Sequence, residues 1–107
     1  MNNRLLVIDN EEMNLNTLTL ILEDMDYEVT IFSDPFMGEK EAITVDYDLI
    51  VTELRMPGKN GAEVTAGILN AKPEARVLVL TAYPTDPLAR RAMGFRLAYS
   101  TFTLSSL

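Results

Sequence analysis

The stretch Asp48–Gly61, DLIVTELRMPGKNG, decides how the rest of the chain is read. Four apolar or β-branched residues, Leu49–Thr52, run into a lone carboxylate, Glu53. A short continuous apolar run bounded by turn residues is the pattern of a strand buried on both faces. Pro57 and Gly58 then impose a tight loop. Beyond it a helix is predicted from about Ala62 to Asn70, with Val64 and Ile68 facing the core, Gly67 weakening it and Pro73 beyond its end. A carboxylate lifted to the end of a buried strand, with a shaped loop directly behind it, is the first candidate site.

The same unit recurs on either side. Leu5–Ile8 is an apolar run that ends in Asp9 and reads as a buried strand. Asp9-Asn10 is predicted to cap a helix with Glu12 in its first turn. Leu15, Leu18, Leu22 and Met25 follow helical spacing there, with Ile21 beside them. Tyr27, Val29 and Ile31 alternate as a second strand. Ser33-Asp34-Pro35 opens a helix in which Phe36, Lys40 and Ile43 share a face. Val77–Leu80 is a fourth strand leading into Thr81. Thr85-Asp86-Pro87 opens a helix through about Met93, and Leu97–Phe102 is a weaker fifth strand. Strands alternating with helices predict a parallel sheet covered on both faces, with right-handed crossovers. In such sheets the functional crevice lies at the carboxyl ends of the strands. Those ends carry Asp9, Asn10, Glu53, Thr81 and the 100–103 region.

Composition narrows the chemistry. With 107 residues, 48% hydrophobic and 23% charged, the chain (1–107) is expected to form one domain. No apolar run reaches the length of a membrane span, and the N-terminus has no secretory pattern, so a cytoplasmic location is expected. A net charge of −7 argues against nucleic acid binding, the Arg90-Arg91 pair notwithstanding. The chain has no cysteine and no histidine. Thiol catalysis, imidazole acid–base chemistry and His- or Cys-ligated metals are excluded. What remains is carboxylates, hydroxyls, amides and the lysines Lys40, Lys59 and Lys72. Met13, Met25 and Met93 are expected in the core. Ser105-Ser106 reads as a helix start, and Gly58 and Gly61 flank a turn.

RLLVIDNE, DLIVTELRMPGKNG and VLVLTAY, in this order and spacing, resemble the receiver domain of bacterial response regulators over essentially the whole chain. The resemblance implies a doubly wound, flavodoxin-like α/β fold with five parallel strands in the order 2-1-3-4-5. It also implies an aspartate that takes a phosphoryl group from a kinase histidine, with Mg2+ bound. Asp9 matches the first residue of the family's acidic pair, and Asn10 replaces the second with a neutral amide. Glu11 follows, expected in the first helical turn and not as a substitute. Glu53 stands at the phosphoacceptor position. Thr81 matches the switch hydroxyl, and the Arg55 carbonyl matches the backbone metal ligand. The family's lysine falls on Thr101 or Thr103, depending on the alignment, and no lysine occurs after Lys72. The aromatic switch position is equally ambiguous, with Tyr99 near and Ala98 or Ser100 at the two counts.

The expectation is therefore an atypical receiver, not an enzyme and not phosphorylated in the usual way. Its Mg2+ site (Asp9, Asn10, Glu53, Arg55 carbonyl) is expected to be weak or absent. It would act through protein contacts with a sensor histidine kinase or an output domain, or with a second copy, on the face of the fourth helix and fifth strand. No contact with nucleic acid or membrane is expected. Glu53, one methylene longer than aspartate, would be a candidate mimic of the modified state. The alternatives are a working phosphoacceptor switch and a small α/β ligand-binding module. The family's last helix is expected to be truncated or missing.

Overall fold

Leu5–Ile8 are all at most 3% exposed, as a central parallel strand with helices on both faces requires. The computed structural model describes residues 3–81, Pro87 and Thr101–Phe102. The elements run β1 (Arg4–Ile8), α1 (Glu12–Asp24), β2 (Glu28–Phe32), α2 (Pro35–Thr44), β3 (Leu49–Glu53), α3 (Gly61–Ala71), β4 (Val77–Leu80) and β5 (Thr101–Phe102). The five strands form one sheet in the order β2-β1-β3-β4-β5, and every pairing is parallel. This is the doubly wound flavodoxin-like receiver fold.

The two faces have separate cores. Leu6, Ile8, Ile50, Val77 and Val79 point towards α2 and α3, meeting Ala42, Val64 and Ile68. Val7, Val51 and Leu80 point the other way and meet Leu15 and Leu18 of α1. Alternation along each strand thus feeds both layers. Fully burying a side chain such as Ile8 or Ile68 contributes about 1.5–3 kcal/mol.

Helix starts are mostly legible and occasionally misplaced. Asp34 Oδ1 accepts the Phe36 N–H at 2.8 Å, with Pro35 opening α2. Asn60 and Glu63 form a reciprocal capping box on α3, at 2.9 and 3.0 Å. At α1 the N-cap is Glu11, with extended backbone and no side-chain capping bond. Asp9-Asn10 is therefore not the cap, and Glu11 precedes the helix instead of lying in its first turn.

The expected core faces need three corrections. On α2 the buried residues are Pro35, Gly38 and Ala42. A Cβ on Gly38 would lie 2.8 Å from Ile8 Cγ1, so the helix approaches too closely for bulk, and Phe36 stays 56% exposed. Met13 is 79% exposed on the outer side of α1. Met25 falls at the C-cap, past the last turn, and is also exposed. The observed part of the fifth strand is Thr101–Phe102. Apart from Pro87, which is helical, the helix expected from Thr85 to Met93 lies outside the described residues, as do Tyr99, Thr103, Ser105-Ser106 and any last helix. Among the described residues no helix is long and apolar enough to cross a membrane.

Candidate functional site

Strand register brings the candidate residues to one edge. Ile8 pairs with Thr52, Glu53 with Leu80, and Leu80 with Phe102. Asp9, one step past Ile8, therefore stands level with Glu53, and Thr81 lies one step past Leu80. Asp9 continues the β1–β2 ladder through its N–H to the Phe32 carbonyl, at 3.1 Å. Asp9 and Thr81 are each 1% exposed. Asn10 is exposed at the surface and Glu53 is half-buried.

The loop behind Glu53 is closed by backbone. The Gly61 N–H donates to the Leu54 carbonyl at 2.7 Å. A Cβ on Gly61 would run into the Glu53 carbonyl oxygen and come within 2.9 Å of Leu54 Cα, so only glycine admits this approach. Gly58 takes φ +84°, against the Phe36 ring. Lys59 reaches from the loop to Glu39 of α2 at 2.7 Å and lies over the Phe36 ring at 5.4 Å from its centroid. The path presenting the Arg55 carbonyl is thus held at both ends.

The two carboxylates sit in an unfavourable environment. Burial pushes the Asp9 carboxyl above its ordinary value. The Glu11 N–H, bonded to Oδ1 at 2.9 Å, and the Asn14 amide pull it partly back, while the Glu11 charge raises it again. Asp9 Oδ2 is buried without a well-formed hydrogen bond. Burial also raises Glu53. Its Oε1 accepts the Leu54 N–H at 2.8 Å, which opposes the rise. The charge of Asp9 raises it further, the Arg55 N–H lowers it, and the Glu11 charge raises it again.

A hard divalent cation is the natural counterion for such oxygens. The donors suit Mg2+: the unbonded Asp9 oxygen, the Glu53 carboxylate and the Arg55 carbonyl. Among the described residues no three acidic groups are grouped closely enough to hold a metal by themselves. Bound there, Mg2+ would neutralise charge around an incoming phosphoryl group. Of the two lysine-position candidates, Thr101 lies within β5 opposite Val79, and Thr103 lies outside the described residues. A groove of about 890 Å³, lined by Leu5, Tyr27, Tyr47, Leu49 and Lys72 among others, opens at the opposite edge of the sheet and includes none of the candidate residues.

Sequence reading missed the capping box, although N-x-x-E at 60–63 carries its signature. It missed the Lys59–Glu39 tie, which joins two elements and has no local signal. It also misplaced Glu11, whose charge reaches both carboxylates.

A parallel sheet in this order, with carboxylates at its carboxyl edge and a glycine-closed loop behind them, defines a phosphorelay-type receiver. The sequence profile of the response regulator receiver domain matches residues 5–99, and the chain belongs to that family. It is 37% identical over 82 residues to the alkaline phosphatase synthesis transcriptional regulatory protein PhoP of Bacillus subtilis, covering 77% of this chain and 34% of that protein. It is 28% identical over 93 residues to the response regulator GacA of Pseudomonas aeruginosa, covering 84% and 43%. The chain thus spans less than half the length of these relatives. Among solved structures, TrrA of Thermotoga maritima in complex with Mg2+ and BeF matches with a TM-score of 0.80 at 27% identity, covering 97% of this chain and 89% of that one. A CheY-like receiver from Methanospirillum hungatei has a TM-score of 0.88 at 18% identity, covering 97% and 82%, a likeness of fold.

Proposed function

We propose that this receiver domain has left the usual aspartyl-phosphate cycle and signals through its surface. One observation carries the reading. The acceptor position holds Glu53, whose longer side chain folds back so that Oε1 is occupied by the adjacent Leu54 N–H at 2.8 Å. Two sequence facts support it: Asn10 removes one metal-ligand charge, and no lysine follows Lys72 to hold a phosphoryl oxygen. Mg2+ binding is expected to be weak, with Asp9, Glu53 and the Arg55 carbonyl as its donors. The partners fitting such a module are a sensor histidine kinase, an output domain, or a second copy.

Beryllofluoride with Mg2+, followed by fluorine NMR, tests this. The expected result is free fluoride species only. A slowly exchanging set of bound resonances, lost in Glu53→Gln, overturns the reading. The preserved burial of Asp9 and Thr81 favours a second reading, in which Glu53 itself accepts a phosphoryl group. The same experiment separates the two.

A further inference from the structure

We propose that Glu11, not Asn10, supplies the second acidic charge for a divalent cation at this edge, acting through a water in the cation's outer shell. This rests on the Mg2+ site proposed at Asp9 and Glu53.

Asn10 is exposed and neutral. Glu11 has extended backbone, φ −95° and ψ 112°, and its side chain forms no capping bond. Glutamate is a poor cap, so this carboxylate stands at the helix start without a capping role. Its own N–H is bonded to Asp9 Oδ1 at 2.9 Å, which fixes the Glu11 backbone against the buried carboxylate. Asp9 is 1% exposed and its other oxygen has no well-formed hydrogen bond. A buried anionic oxygen left without one is costly, and a cation is the partner that relieves it. The bond from the Glu11 N–H places Glu11 against Asp9, so its side chain starts within one residue's reach of any ion held there. Among the described residues the acidic groups do not close on a metal directly. Mg2+ suits this, because it keeps several waters and takes only one or two carboxylates. The triplet Asp9-Asn10-Glu11 thereby retains two negative charges, displaced by one residue and by one water.

Calorimetric titration of Mg2+ into the chain at low salt tests the assignment, with circular dichroism verifying that each variant is folded. Losing one charge from the outer shell of a divalent ion weakens affinity about five- to ten-fold. Glu11→Gln should show that loss, Glu12→Gln should bind like the parent, and adding Asn10→Asp to Glu11→Gln should restore affinity. If Glu11→Gln binds like the parent while Glu53→Gln does not bind, the role of Glu11 is overturned and the metal site stands. If the parent and Glu53→Gln bind equally, or neither binds, the metal site is overturned and the role of Glu11 goes with it.

Discussion

The two edges of this sheet treat charge in opposite ways. At the amino edge, charged and polar groups are paired. The Arg4 N–H donates to Asp48 Oδ2 at 2.7 Å, and the Arg4 guanidinium lies 5.0 Å from the centroid of the Tyr47 ring. The Tyr47 hydroxyl donates to Glu41 at 2.6 Å, and Lys72 donates to the Val45 carbonyl and to Asp46, both at 3.0 Å. These contacts clamp the α2–β3 connection. At the carboxyl edge, Asp9, Glu11 and Glu53 gather like charge, and burial raises Asp9 and Glu53 above their ordinary values. One edge contributes stability. The other gives some up, which is the mark of a site kept for binding.

Four substitutions can break or sharpen that contrast. The largest effect belongs to the scaffold under the site. Gly61→Val forces a side chain against the Glu53 carbonyl and should cost about 3 kcal/mol or more in urea unfolding. At the amino edge, Tyr47→Phe leaves a Glu41 oxygen without its donor and should cost about 1–2 kcal/mol.

At the carboxyl edge the sign reverses. Glu53→Gln should stabilise the chain at neutral pH by about 1 kcal/mol, a rise in melting temperature of about 4–8 °C. A folded-state value raised above the unfolded one means that the native chain binds more protons. The stability contributed by protonated Glu53 is complete below the ordinary carboxylate value and is lost as pH rises through the raised one. The advantage of Glu53→Gln should therefore shrink to nothing in acid. An advantage that persists in acid would trace the gain to something other than charge. The smallest effect is expected at Lys59→Met, which loses the pair with Glu39. Discounted for solvent screening, that pair is worth about 0.5–1 kcal/mol, readable as a small shift in denaturation midpoint.

Much of this was legible in sequence. Strands buried on both faces announce themselves as apolar runs, so β1, β3 and β4 were placed within a residue. The polar residues ending those runs marked the site's edge. The strand order came from resemblance, because periodicity carries no information about which strands are neighbours. Helix faces were less legible. Phe36 looked like a core residue because its size argues for burial, yet α2 packs through Gly38 and Ala42, and at Gly38 an added Cβ would meet Ile8. Glu11 was misplaced because a helix start can slip by one residue without disturbing the apolar spacing behind it. The Lys59–Glu39 and Tyr47–Glu41 contacts depend on how neighbouring segments dock, and spacing alone does not reveal that.

The central claim is that the scaffold of a phosphoryl-transfer site persists while its acceptor does not function. Intact mass after incubation with acetyl phosphate and Mg2+, read side by side for the parent chain and Glu53→Gln, tests it most directly. The account predicts two unmodified proteins. A stoichiometric phosphoryl adduct on the parent, absent from Glu53→Gln, would contradict it.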